Sequence, residues 1–251
     1  MRAYPSQRIG RPSESRHRNG GGKKRRQLLR RLGRILLSAG LVFVLLSILL
    51  VLPLRWVNPA TTAFMLQDDS GKEPLQHEWV SWADMGDALP IAVVAAEDQK
   101  FADHLGFDVE SIRDSVDEYG DGRPLRGAST ITQQVAKNLY LWPSRSFVRK
   151  GLEAYLAALL EAMLPKRRIL EIYVNIAELG PGIYGGGAAS AAYFGKVPSA
   201  LDDAEAALLA AVLPNPRRLH ANQPSAYVRD RQAWIVEQMQ RLRREQWILS
   251  L

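Results

Sequence analysis

The stretch PIAVVAAEDQKFADHLGFD, Pro90 to Asp108, decides the fold class. Proline suits the first turn of a helix, and the apolar run IAVVAA behind it reads as a buried helical segment. That helix ends on two adjacent carboxylates, Glu97 and Asp98, shortly before His104 and Gly106. An acid set among apolar residues has its ionised form disfavoured, and a raised pKa is what a general acid or base needs. Taken alone, the same pattern is that of a helix end with solvated acids, and His104 alone reads as structural.

Outward from this stretch the helical period continues. Thr130 to Tyr140, Arg149 to Met163, Arg167 to Ile176, Ala188 to Phe194, Ala204 to Leu213 and Tyr227 to Leu249 all read as helices, and strand signals are few. Loops rich in Gly and Pro separate them at Tyr119 to Gly127, Leu179 to Gly187 and Pro214 to Pro224. The expected fold class is mainly α.

On the N-terminal side, Ile35 to Leu54 reads ILLSAGLVFVLLSILLVLPL, twenty residues without a charge. At ~1.5 Å per residue such a helix spans the ~30 Å hydrocarbon layer of a bilayer. Residues 1–34 hold twelve Arg or Lys against one acid, Glu14. The chain carries 33 basic and 26 acidic residues, so residues 55–251 keep 21 against 25 and a net charge of −4. The basic balance therefore belongs to a tail whose one aromatic is Tyr4, and base stacking needs aromatics among the cations. No nucleic-acid partner is expected. The charge asymmetry predicts a type II anchor: residues 1–34 a basic cytoplasmic tail, disordered over 1–27, residues 35–54 the transmembrane helix, and 55–89 a juxtamembrane segment. Trp56 and Pro59 mark the exit from the bilayer, and residues 90–251 form the exported domain. The 47% hydrophobic content and the absence of cysteine argue against disorder and against a disulfide or thiolate-metal scaffold.

Three further segments carry candidate chemistry. In GASTITQQVAKN, Gly127 to Asn138, Thr130 and Gln133 have capping-box spacing. Thr130, Gln133, Gln134 and Lys137 share a polar face opposite Ile131 and Val135. Amides, hydroxyls and one ammonium suit a sugar or a phosphate, whereas a solvated face is more often rich in Glu and Lys. In SRSFVRKGLEAYLAALLEAM, Ser144 to Met163, a stripe of Leu152, Leu156, Leu159 and Met163 puts Glu153 at its edge and Glu161 opposite. Glu153 is thus the candidate functional carboxylate and Glu161 a surface one. Arg145, Arg149 and Lys150 could hold an anion by charge-assisted hydrogen bonds, or pair within the helix. The glycine-rich GPGIYGGGAASAAYFGK, Gly180 to Lys196, lacks the Gly-Lys-Ser/Thr ending of a P-loop, and no strand is expected before it. Its glycines point to close backbone approach or mobility near a ligand.

Read together, EDQKFADHLGFD, GASTITQQVAKN, RKGLE, KRRILEIYVNIAELGPGIYG, AASAAYFGK and LLAAVLPNP resemble the ordered motifs of glycosyltransferase family 51, the peptidoglycan glycosyltransferases. They fall between Ala95 and Pro216. With the anchor and the short C-terminus, the chain resembles the family's monofunctional members, since neither Ser-x-x-Lys nor Lys-Thr-Gly occurs in the 35 residues after Pro216. The resemblance implies a lysozyme-like glycosyltransferase domain with a small membrane-proximal jaw. It implies polymerisation of lipid II into β-1,4-linked glycan strands with release of undecaprenyl diphosphate. The cytoplasmic (inner) membrane, a periplasmic catalytic domain and other cell-wall synthesis proteins as partners follow as expectations.

By motif, Glu97 would be the general base for the acceptor 4-hydroxyl. Glu153, 56 residues later, would assist the diphosphate directly or through a divalent cation, Mg or Mn. No other cofactor is expected. Lys137, Arg145 and Arg149 would neutralise the diphosphate, and Ser129, Thr130, Gln133, Gln134 and Asn138 would line the sugar and phosphate path. The sequence departs from the family pattern at Lys100, where Arg is common, and at Gly186 and Gly187, where a bulkier residue and an acid often stand. A glycan-cleaving enzyme of the same fold, and an inactive wall-synthesis scaffold, are the competing readings. The cation set argues against the first and the presence of both carboxylates against the second.

Overall fold

A computed structural model describes residues 20–72, 74–120, 129–144 and 146–245, and the chain divides into two compact units, residues 1–46 and 47–251. One helix, α1 (Gly20–Val51), supplies the described part of the first unit. It is long and apolar enough to cross a membrane. Its start corrects one expectation: Gly20 to Gln27 is helical, not disordered, because the basic segment runs without a breaker into the apolar one. A 3₁₀ turn at Leu52–Arg55, with Pro53 in its first turn, ends the run.

The second unit is mainly α. It comprises α2 (Ala63–Leu66), α3 (Trp82–Met85), α4 (Ala88–Glu97), α5 (Val109–Gly120), α6 (Ile131–Tyr140), α7 (Phe147–Met163), α8 (Lys166–Ile176), α9 (Gly186–Phe194), α10 (Asp203–Val212) and α11 (Ala226–Arg244). The helix α4 is the hub. Ala88 to Ala95 are all buried, so this element is apolar all round and packs against α8, α10 and α11. On its other side α8 packs on α6, and α6 on α7. The core therefore runs from α10 and α11 through α4 and α8 to α6 and α7, and the C-terminal end of α4 meets the N-terminal end of α6 within it.

Residues after the apolar helix are stapled to this core. The Arg168 guanidinium donates to the Leu54 carbonyl (2.8 Å), the Val57 carbonyl (3.1 Å), Asn58 Oδ1 (2.7 Å) and Glu171 (2.9 Å), and lies over the Trp79 ring.

Three very short strands, β1 (Gln76–His77), β2 (Glu178–Gly180) and β3 (Ile183–Tyr184), form one sheet in the order β1-β3-β2. β1 runs parallel to β3, with Gln76 opposite Ile183, and β2 runs antiparallel to β3 across a register shift. The expected loop Leu179 to Gly187 is thus a hairpin leading into α9, and a strand does precede the glycine run. The expected close backbone approach is met within the protein at these glycines. Gly185 has φ +82°, and a Cβ there would lie 2.4 Å from the Asn175 carbonyl oxygen; at Gly187 it would lie 2.7 Å from that of Glu78.

The six expected helices after residue 129 are all present. Two bounds differ notably: α4 begins at Ala88, ahead of Pro90, and α11 ends at Arg244 with Glu245 as its C-cap, while 246–249 lies outside the described residues. The helix α5 was not foreseen. Of the expected loop Tyr119 to Gly127, Tyr119 and Gly120 are helical and 121–127 lies outside the described residues.

Candidate active site

The site grows from the end of α4. Asp98 is buried and joins two elements: Oδ1 accepts from His104 Nε2 (2.9 Å), and Oδ2 accepts from the Ile131 amide at the head of α6 (2.9 Å). The Gly106 amide donates to His104 Nδ1 (3.1 Å), which leaves the imidazole proton on Nε2, facing Asp98. His104 is structural, as expected. Thr130 caps α6 with Gln133 in a complete capping box, and its hydroxyl donates to the Gly106 carbonyl (2.7 Å).

With that joint held, Glu97 faces the polar side chains of α6. Its Oε2 accepts from Gln134 Nε2 (2.8 Å), and Gln134 Oε1 accepts from the Tyr173 hydroxyl (2.9 Å) on α8. The phenol fixes which way the amide points, so a donor is presented to the carboxylate. From α11, Arg231 donates to the Ala96 carbonyl (3.2 Å) and reaches Glu97 Oε1 at 3.5 Å. Burial pushes the Glu97 pKa above its ordinary 4.5, with Gln134, Arg231 and Lys137 pulling the other way. Burial likewise lifts the Tyr173 phenol well above 10, aided by the charges of Glu97 and Asp98, so it stays a donor at neutral pH.

Glu153 forms the second centre, only 2% exposed. Its Oε2 accepts from Arg149 (2.6 Å) and its Oε1 from Lys150 (2.5 Å). The buried face of α7 is Glu153, Leu156, Ala157 and Leu160, so the carboxylate lies within the packed stripe, one position round from the edge expected. The expectation for Glu161 is overturned as well. Its side chain is 6% exposed, accepts from Thr132 (2.5 Å) and Lys166 (2.8 Å), and faces α6 and α8, not solvent.

Lys137 lies between the two centres. Its ammonium makes no hydrogen bond among the described residues, stands over the Phe64 ring at 5.4 Å, and feels both Glu153 and Glu97. Burial lowers its pKa, while the two carboxylates raise it. Asn138 is buried with an unpaired Oδ1. Ser129 and Gln133 both face Lys150, at 3.0 and 3.5 Å. The polar face of α6 is therefore turned inward, with Thr130 and Gln133 buried. Arg145 lies outside the described residues.

A cleft of about 380 Å³ opens over the end of α4, lined by Glu97, Lys100, Asp108, Ser129, Thr130 and Trp234, among others. A divalent cation does not suit Glu153 as arranged, because both its oxygens already accept from cations. No group of three or more potential ligating side chains occurs among the described residues. Sequence reasoning missed Tyr173, Arg231 and Trp234. A lone phenol on the buried face of α8 gave a faint signal, whereas Arg231 stands 134 residues from the carboxylate it touches.

The family model described as Transglycosylase matches residues 65–240, which contain both carboxylates, the inward face of α6 and most of α11. The chain belongs to the transglycosylase family. Named relatives cover most of the chain. "Biosynthetic peptidoglycan transglycosylase" of Stutzerimonas stutzeri (strain A1501) is 52% identical over 223 residues, 86% of this chain and 90% of its own. The protein of the same name from Shewanella frigidimarina (strain NCIMB 400) is 54% identical over 200 residues, 80% and 87% of the two chains. That of Pseudomonas entomophila (strain L48) is 48% identical over 232 residues, 89% and 96%.

Proposed function

We propose that this transglycosylase polymerises lipid II into β-1,4-linked peptidoglycan strands, releasing undecaprenyl diphosphate, with Glu97 as general base. The single observation that carries the reading is Glu97 itself: a carboxylate whose pKa is raised by burial, aimed by Gln134, at the wall of a sugar-sized cleft and within electrostatic reach of Lys137. The names of the relatives support the substrate class.

The acceptor's O4–H gives its proton to Glu97 as O4 bonds to the anomeric carbon of the donor. The bond from that carbon to the diphosphate oxygen breaks on the opposite face, and the diphosphate departs with the electron pair. The α-linked donor becomes a β-linked product. Lys137 and Arg149 stabilise the charge that develops on the leaving oxygen, where fixed cations act most strongly. Arg145 belongs to the same set by motif. Glu153 then serves as the counter-charge that holds Arg149 and Lys150 in place, with no step routed through a metal. A cleaving enzyme of similar fold transfers sugar to water and expels no diphosphate, so it has no use for this cation set.

The substrate is lipid-linked, and the anchor keeps the enzyme in the same bilayer. The charge asymmetry about residues 35–54 supports a cytoplasmic tail and a catalytic domain on the far side of the inner membrane. The test is Glu97→Gln in the full chain, solubilised in detergent and given labelled lipid II. Polymer on a gel from the parent and none from a folded Glu97→Gln variant is the expected result. Polymer at the parental rate from the variant would remove Glu97 as base.

A further inference from the structure

We propose that Tyr227 and Trp234 on α11 form an aromatic platform continuing the cleft on its Glu97 side, on which the two pyranose rings of the acceptor disaccharide stack. The assignment rests on the reading of Glu97 as the acceptor's base, since that reading says which sugar lies on this side.

The helix α11 is capped by Ser225 and buries Val228, Ile235, Met239 and Leu242 against the rest of the domain. Next to that face, Tyr227, Asp230, Arg231 and Trp234 follow at spacings of three, four and seven, which places them on one line along the helix. Tyr227 is 58% exposed and Trp234 is 44% exposed. A surface helix gains nothing in water by showing two large rings on one line, and such a patch marks a binding surface. Among the described residues, neither ring stacks on another ring or carries a cation.

Continuity with the cleft identifies the occupant. Trp234 lines the 380 Å³ cleft that holds Glu97, and also a neighbouring hollow of about 580 Å³ that it shares with Tyr227, Asp230 and Arg231. Arg231 ties this line to the base through the Ala96 carbonyl (3.2 Å), and its buried Nε has no partner. Seven residues of helix advance about 10.5 Å, close to the length of a disaccharide. The apolar face of a pyranose ring covers an aromatic ring, while its equatorial hydroxyls need acceptors and donors at the side. Asp230, which has no ion pair among the described residues, and Arg231 supply both between the rings. An apolar peptide would leave these two charges uncovered.

The experiment uses the full chain in detergent with ¹⁵N-labelled tryptophan. Trp234→Phe identifies the Trp234 indole signal by its loss. A soluble β-1,4-linked N-acetylglucosamine tetramer should shift that signal saturably in the parent, and Tyr227→Ala should weaken the affinity about tenfold. In polymerisation assays Trp234→Ala should raise KM for lipid II about tenfold with kcat reduced less than about threefold, and Trp234→Phe should recover most of the loss. An unmoved indole signal at millimolar sugar overturns the platform. A moved signal with unchanged KM in Trp234→Ala overturns its assignment to the acceptor. Should Trp234→Ala fail to fold, Tyr227→Ala on the exposed start of the helix carries the same two readouts. If Glu97→Gln polymerised normally, the base reading would fall, while the indole titration would still report whether sugar binds on α11.

Discussion

A carboxylate buried as Glu97 is burdens the fold, and the role proposed for it makes the conflict measurable. Its folded pKa is raised, so below the ordinary carboxylate value the group is protonated in both folded and unfolded chains and costs nothing. As pH rises through the raised folded value, ionisation inside the site erodes stability. Glu97→Gln should therefore melt close to the parent near about pH 4 and above it at neutral pH, a widening gap that calorimetry across pH reads directly. The rate has the opposite sign. With Glu97 as the proposed base, polymerisation needs the ionised form, so its acid limb should sit above the ordinary carboxylate range, in a pH profile at saturating lipid II. Glu153 is held by two cations. Glu153→Ala should cost about 3 kcal/mol or more by leaving Arg149 facing Lys137 and Lys150 unbalanced, seen as a lower denaturation midpoint together with lost polymerisation.

Elements explain which residues could be foreseen. The capping box at Thr130 was legible because it is local: Ser/Thr and Gln three apart dictate their own geometry. Thr130→Ala should destabilise the domain by about 1 to 2 kcal/mol, since both the cap and the bond to the Gly106 carbonyl disappear, and Thr130→Ser should recover most of that in the same melts. Glu153 was legible at the edge of the apolar stripe, yet its depth was not. Periodicity on one helix ranks faces by their own side chains, and α7 buries a face chosen by its packing against α6. Glu161 failed for the same reason, since Thr132 and Lys166 that satisfy it come from outside α7. The hairpin of β2 and β3 is too short for alternation to register. Arg231 and Trp234 were illegible because nothing near them in sequence states that α11 returns to the end of α4.

Over the whole molecule, one guanidinium connects the segment following the apolar helix to the catalytic body. Arg168 satisfies two backbone carbonyls, Asn58 and Glu171 while covering Trp79. Arg168→Ala should lower stability by about 2 kcal/mol and expose residues 52–58 to limited proteolysis, with cleavage mapped by mass spectrometry. Far from that staple, Asp98 has a consequence for the reaction itself. Glu97 and Asp98 are neighbours with the same kind of side chain, yet Glu97 faces the cleft while Asp98 rivets two helices together. Their order is thus a registration mark. Exchanging them would keep every atom count and every charge while putting the shorter carboxylate at the cleft and the longer one at the joint. Turnover in this enzyme doubles as a gauge of how α4 is threaded against α6, to within one residue.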